Sequence, residues 1–415
     1  MAYWSSQSEN LQPPVNMYPD PATVRFTSSS TQSRSTPRNK FGKHYDLDET
    51  HAKRNWVIER VCDNSTHRYQ GDSKSLAVER NSLIDQRHSI MYCRVQKIGS
   101  TFLTSLLHKL NMANKNEDGH TKLMPVNALK DIGFVNLHSS LLKSFKFMFT
   151  RDPYSRLLSG YVDKLFSVNT LYWKSIGMYI KNKLLNPEGQ FSLCGNDVTF
   201  PQFIKYVIDV ETTGKHGDVH FTPIYKHCRP CQIQYDFVGK METFAKDTLV
   251  LVNTWNKRYG TNISYDDFEQ ETVLDRVNGH VGRLYGMRKQ VMECTSFPSM
   301  MKRVWTDFQI RGFLSKYSSF PFTDEEADSL TKSQFISVLV NIITDKSTDR
   351  KAVKEQKMEA LVQAYSLVPM EDLVKLREVV RPDCLLFGYN DSPAYIFNRT
   401  DDFQNSVQYR YFDIG

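Results

Sequence analysis

The chain has 415 residues, 40% of them hydrophobic and 24% charged, with a net charge of +7. That size accommodates one large α/β domain with additions, or two ordinary domains, and the composition excludes a generally disordered or fibrous protein. A mild basic surplus fits anionic ligands such as phosphates or acidic glycans, and is equally an ordinary surface value. The longest apolar stretch, Ile336 to Ile343, is far short of the ~20 residues of a membrane span.

Residues 1–50, with SSSTQSRSTPRNK at their centre, hold too little apolar content to bury and are expected to be disordered; they also lack the apolar core of a signal peptide. A globular pattern begins near Trp56. The first unit is an apolar strand, Ile90 to Val95, followed by the polar turn Gln96-Lys97-Ile98-Gly99-Ser100-Thr101. Phe102, Leu103, Leu106, Leu107 and Leu110 then recur at helical spacing. A loop between strand and helix offers unpaired backbone N–H groups and the positive end of a dipole. Gly99 lets the backbone approach an anion, Lys97 adds a full charge, and Ser100 and Thr101 add hydroxyls. The loop is built for a phosphate, or else is a βα turn with a serine N-cap. It lacks the GxxxxGK[ST] spacing of a Walker loop, which argues against a nucleotide kinase.

A second unit runs from the strand Phe145–Phe149 to Arg151-Asp152-Pro153, with Asp152 suited to an N-cap and Pro153 to the first helical position. Tyr154, Leu157, Leu158, Tyr161 and Leu165 form one face of the helix. Arg156, Ser159 and Asp163 form another. Arg151 and Ser159 are candidates for a second phosphate; the plainer alternative is a surface helix with an Arg156–Asp163 salt bridge. A third unit follows Cys228-Arg229-Pro230-Cys231 with the short strand Tyr235–Lys240. From Asn256 to Met358 the pattern is helical, basic and less regular, and reads as a helical insertion. Arg381-Pro382-Asp383 to Tyr389 reads as a further strand.

Seven cysteines cannot all pair internally. Four glycosylation sequons, at Asn64, Asn262, Asn390 and Asn398, join the cysteines in favouring a secretory lumen. A single CxxC does not support a closed zinc site, so no metal is expected and a disulfide role is favoured for Cys228 and Cys231.

Four blocks of the chain resemble the Golgi carbohydrate sulfotransferases, most nearly the group with the chondroitin and dermatan 4-O-sulfotransferases. Tyr92 through Phe102 resembles their 5′-phosphosulfate loop, and Arg151 through Leu165 their 3′-phosphate motif. Cys228 through Glu242 and Arg381 through Tyr389 resemble later blocks. Gln96 stands where the family has proline, Gly99 where it has alanine, and Phe102-Leu103 near its Asn-Trp pair. These departures bear on the acceptor more than on the donor.

The resemblance implies an α/β, P-loop-like sulfotransferase fold: a central parallel sheet with flanking helices and a helical insertion. It divides the chain into the disordered segment 1–50, a core at 51–255 that binds 3′-phosphoadenosine 5′-phosphosulfate (PAPS), an insertion at 256–358, and the rest of the core with a tail at 359–415. It implies a PAPS-dependent transferase acting on a glycan that contains GalNAc or hexuronate, with no nucleic-acid partner. A Golgi lumenal or membrane location follows, with membrane association expected although no span is visible. A catalytically inactive relative that binds PAPS or glycan is the alternative. Lys97, Ile98, Gly99, Ser100, Thr101 and Phe102 would hold the 5′-phosphosulfate, and Arg151 and Ser159 the 3′-phosphate. Lys97 would also stabilise the leaving group. His220, in Asp218-Val219-His220-Phe221, aligns with a family histidine and is the first choice for the base; His138 is the second.

Overall fold

Residues 49–64, 81–113, 123–125, 143–185, 193–264, 268–345, 349–398 and 409–413 are described here from a computed structural model. His138 and nearly all of the segment 1–50 lie outside them.

Short strands of three to six residues make the sheet. Ser82–Asp85 (β1), Ile90–Cys93 (β2), Leu123–Pro125 (β3), Phe145–Thr150 (β4) and Phe237–Lys240 (β5) lie in the order β3-β1-β2-β4-β5. β2, β4 and β5 run parallel, with Tyr92 opposite Phe147 and Phe147 opposite Phe237. β1 runs antiparallel to both of its neighbours, so the expected parallel sheet carries an antiparallel edge. That edge comes from a hairpin whose turn Asp85 organises. Its carboxylate accepts from the backbone N–H of Arg87 at 2.9 Å, pairs with His88 at 2.7 Å and accepts from Asn111 at 2.9 Å.

Helices follow where the apolar spacing changes to 3.6. Glu49–Asn64 (α1) precedes the sheet, and Ser100–Ala113 (α2) follows β2, burying Leu103, Leu106, Leu107 and Leu110. Pro153–Tyr161 (α3) follows β4. As the sequence predicts, Asp152 caps it, accepting from the Ser155 N–H at 2.8 Å, with Pro153 at its start. It runs directly into a π-helical turn, Val162–Phe166. Phe200–Thr213 (α4) is opened by a Thr199/Gln202 capping box, and Ile224–Cys228 (α5) and Phe244–Tyr259 (α6) bracket β5. Beyond residue 256 the elements are helical: Phe268–Gly286 (α7), Phe297–Ile310 (α8), Lys332–Thr344 (α9), Arg350–Ser366 (α10) and Met370–Phe387 (α11) are the longest.

Burial divides into three apolar clusters. One joins the sheet to α1, α2 and α6, where Phe147 stacks on Tyr92 and meets Trp255 edge to face. One joins α3 and α4 to α10 and α11. The third joins α7, α8 and α9 around Phe297, Met300, Val304 and Phe335.

Arg381 to Phe387, expected as a strand, is the end of α11. Leu373, Leu376, Val380, Asp383, Cys384 and Phe387 are buried at spacings of three and four, and Pro382 sits inside the helix. A four-residue apolar run is ambiguous by pattern, and a proline inside a helix is uncommon.

Disulfides Cys62–Cys231, Cys93–Cys228 and Cys194–Cys294 tie α1 to the chain after α5, the end of β2 to α5, and the loop before α4 to the chain before α8. Cys384 is free and buried. Among the described residues no helix is long and apolar enough to cross a membrane.

Candidate functional site

The loop from Gln96 to Thr101 leaves the carboxyl end of β2, in the parallel part of the sheet. Lys97 and Gly99 both take left-handed φ, +69° and +67°, on either side of Ile98. Alternation of this kind turns successive N–H groups into a concavity suited to an anion. Ile98 is buried, so it offers the site its backbone alone. At Gly99 a side chain is excluded twice. Its φ disfavours one, and a Cβ would lie 2.7 Å from the Phe244 ring. Phe244 also meets Phe102 edge to face at 5.6 Å, so Phe102 braces the loop from within. Ser100 is half-buried and Thr101 exposed, at the start of α2.

The second loop closes on the first. Arg151 donates to the Lys97 carbonyl at 3.0 Å. Arg156 does not pair with Asp163. It is buried, and donates to the carbonyls of Gln96 at 3.1 Å and Thr222 at 2.7 Å. Asp163, held inward by the π turn, binds Lys97 at 2.9 Å, Lys164 at 3.3 Å and Arg283 at 3.3 Å. Burial works to raise the Asp163 carboxyl, but Lys97, Arg311, Lys164 and Arg283 outweigh it and hold it well below the usual range. Burial pushes Lys97 down to about 7, against the pull of Asp163. Ser159 lies half-buried on the same helix as Arg156.

His220 sits in a turn that Asp218 builds. Asp218 accepts from the His220 backbone N–H at 2.8 Å and contacts its Nδ1 at 2.7 Å. The Tyr172 hydroxyl reaches the same nitrogen at 2.8 Å and donates to Asp218 at 3.1 Å. Nε2 has no partner among the described residues. Burial lowers the His220 pKa, with Lys164 and Lys97 adding to the effect and Asp218 opposing it, so the ring is neutral near pH 7. Lys164 joins this group to the loop, since it binds Asp163 and stands 4.8 Å over the Tyr172 ring.

The later blocks converge on the same end of the sheet. Glu242 accepts from the Asp152 N–H at 2.8 Å and from the Tyr389 hydroxyl at 2.9 Å, and that hydroxyl also meets Thr150 at 3.1 Å. Asp383 caps α5, accepting from the N–H groups of Ile224 at 2.6 Å and Tyr225 at 2.8 Å. Behind Asp163 lies a relay that the sequence did not disclose. His280 stands 4.0 Å from Asp163 and 2.6 Å from Asp307, and Asp307 pairs with Arg311. Arg276, Arg311 and Lys357 stand nearby, on elements whose approach to the loop no local spacing reveals. No group of three or more metal-ligating side chains occurs among the described residues.

Residues 80–280 match the sulfotransferase family. This part of the chain belongs to that family. Mouse carbohydrate sulfotransferase 14 is 33% identical over 171 residues, which are 40% of this chain and 44% of the relative. Carbohydrate sulfotransferase 12 of Xenopus laevis is 32% identical over 201 residues, 42% of this chain and 48% of the relative. Human carbohydrate sulfotransferase 8 is 28% identical over 244 residues, 56% of each. The chain thus spans about half the length of the curated relatives it matches. No solved structure matches it. The matched segment takes in both candidate loops, His220, the cysteine pair and Glu242; α8 to α11 lie beyond it.

Proposed function

We propose that the chain transfers a sulfuryl group from PAPS to a hydroxyl of a glycan, in the Golgi lumen. The observation that carries this reading is the Lys97–Asp163 ion pair, which ties the loop after β2 to the π turn after α3 at the carboxyl end of a parallel sheet. PAPS supplies a sulfuryl group already activated by its phosphate leaving group. The chain's own residues fit such a donor: the left-handed loop and Lys97 for the 5′ end, Arg151 and Ser159 for the 3′-phosphate, and a buried guanidinium nitrogen of Arg156 that finds no partner among the described residues.

Lys97 holds a proton beside the place where leaving-group charge develops, and Asp163 fixes its direction. Arg156 holds the Gln96 and Thr222 carbonyls in one network, so the loop and the His220 turn keep a set separation. His220, neutral and oriented through Nδ1 by Asp218 and Tyr172, presents Nε2 to take the proton of the attacking hydroxyl. The lumenal location rests on three disulfides and on sequon asparagines that are all exposed: Asn64, Asn262, Asn390 and Asn398.

Incubating the protein with radiolabelled PAPS and a panel of desulfated glycosaminoglycans and terminal-GalNAc oligosaccharides tests the activity. Label should enter at least one glycan and be lost in Lys97→Ala. No transfer to any acceptor, with no binding of adenosine 3′,5′-bisphosphate, overturns the reading.

A further inference from the structure

We propose that His280 is a positioning residue that takes over Asp163 when Lys97 turns from it to the donor. The proposal rests on the sulfuryl-transfer reading and deepens it by saying how the Lys97–Asp163 pair opens.

Lys97 Nζ lies 2.9 Å from Asp163 Oδ2. A donor anion at the loop competes for the same ammonium group. Once Lys97 turns to the donor, Asp163 loses its nearest cation, and a buried carboxylate left uncompensated is costly. Arg283 and Lys164 already hold Asp163 at 3.3 Å each, so neither has a new bond to make. His280 does. Its Nε2 stands 4.0 Å from Asp163 Oδ1, the oxygen that Lys97 does not use, and so lies just beyond hydrogen-bond distance. Its Nδ1 stands 2.6 Å from Asp307 Oδ2.

One imidazole thus lies between two carboxylates. In its neutral form it carries a single N–H and serves only one of them. Asp307 is wholly buried, with Arg311 on its other oxygen, and takes that N–H at Nδ1. Nε2 then faces Asp163 without a proton. Closing on Asp163 requires Nε2 to take a proton from solvent, which gives an imidazolium with a carboxylate at each nitrogen. The charged groups around the ring are Asp307 and Arg311 of α8, Asp163 of the π turn with Lys97 and Lys164 bound to it, and Arg276 and Arg283 of α7. Burial, helped by Arg311, holds the His280 pKa down against Asp307 and Asp163. Departure of Lys97 removes a cation from Asp163 and tips that balance towards the charged ring.

Ring-nitrogen NMR on the full chain near pH 7 tests this, with the His280 signals identified by contact with Phe308, whose ring centre is 5.6 Å away. The ring should be neutral in the free protein and carry a proton on both nitrogens when adenosine 3′,5′-bisphosphate is bound. It should already do so in unliganded Lys97→Gln, where Asp163 has lost Lys97 from the start. A ring still neutral in the bisphosphate complex overturns the proposal. Two variants separate takeover from mere support of Asp307. An asparagine amide falls near the place of Nδ1, and a glutamine amide near that of Nε2. Takeover predicts that His280→Asn weakens bisphosphate binding about tenfold and His280→Gln less, because glutamine can still donate to Asp163. The reverse order makes His280 a strut for Asp307 and also overturns the proposal. The NMR arm needs neither variant and stands if they fail to fold. Failure of the wild type to bind bisphosphate sinks the sulfotransferase reading instead, and the Lys97→Gln ring then reads the takeover alone.

Discussion

The proposed chemistry needs Lys97 charged and His220 neutral, and this gives it a pH signature. His220 must be neutral to accept a proton, and its pKa is lowered, so kcat/KM should fall as pH drops through a value below 6.5. Lys97 must be charged, and burial holds it near 7 in the free protein, so an alkaline limb should begin there. An anionic donor beside Lys97 favours its charged form and should move that limb upward in kcat relative to kcat/KM. His220→Ala should abolish the acidic limb. Lys97→Ala should abolish the alkaline limb and lower kcat by about 10²–10³. An acidic limb that survives in His220→Ala puts the base elsewhere. Arg151→Ala and Ser159→Ala should each weaken adenosine 3′,5′-bisphosphate binding, by about 1.5–3 kcal/mol for the charged contact. Calorimetry showing both unchanged removes their assignment to the 3′-phosphate. Gly99→Ala combines a left-handed alanine, costing about 1–2 kcal/mol, with displacement of the Phe244 ring, and should lower the melting temperature.

At the scale of elements, legibility followed locality. β2, β4 and the helices after them were plain in the sequence because each pairs an apolar run with helical spacing after it, and the second adds local capping chemistry at Asp152 and Pro153. β1 was not, since Ser82-Leu83-Ile84-Asp85 is four residues long and its pairing depends on a hairpin built by Asp85. The candidate loops were legible, but the partner of Asp163 was not. Helical spacing offered Arg156, whereas the π turn and the packing of α3 deliver Asp163 to Lys97. His280, Asp307 and Arg311 were invisible for the same reason, being brought together only by tertiary packing. α5 shows how such packing can be tested. His227, beside its C-terminus, is buried between Asn81 at 2.7 Å and the Val219 carbonyl at 2.9 Å. Burial, helped by Arg156, lowers its pKa to about 3. A buried neutral histidine contributes stability above its unfolded pKa, and that contribution is lost as pH falls below 6.5 toward 3, at roughly 1.4 kcal/mol per unit. Urea unfolding between pH 7 and pH 5 should show this loss in the wild type and a smaller one in His227→Gln. Identical slopes would mean that His227 is protonated in the folded protein. Asp383→Ala, which strips two N–H groups at the start of α5 of their acceptor, should cost about 2 kcal/mol or more.

For the whole molecule the disulfides connect what the chain order separates. Cys62–Cys231, Cys93–Cys228 and Cys194–Cys294 close loops of 169, 135 and 100 residues. Loss of a native disulfide of this kind costs roughly 2–5 kcal/mol, a large part of a domain's net stability. Cys93 ends the strand that feeds the Lys97 loop and Cys228 ends α5, just after the His220 turn, so their bond also sets the distance between the two proposed reacting groups. A reducing compartment would therefore remove stability and site geometry together. Chain from secretory cells, denatured without reductant, should expose one thiol, that of Cys384, and all seven after reduction. The same material should shift on glycosidase treatment, because its sequon asparagines are exposed. Reductant should lower the melting temperature and the activity in parallel, and Cys93→Ser/Cys228→Ser should lose transfer more than it loses bisphosphate binding, since Arg151 and Ser159, proposed for the 3′-phosphate, lie on a loop and helix that this bond does not join. Seven thiols in the unreduced chain, with no glycosidase shift, would place the protein outside the lumen and leave the three bonds without a role.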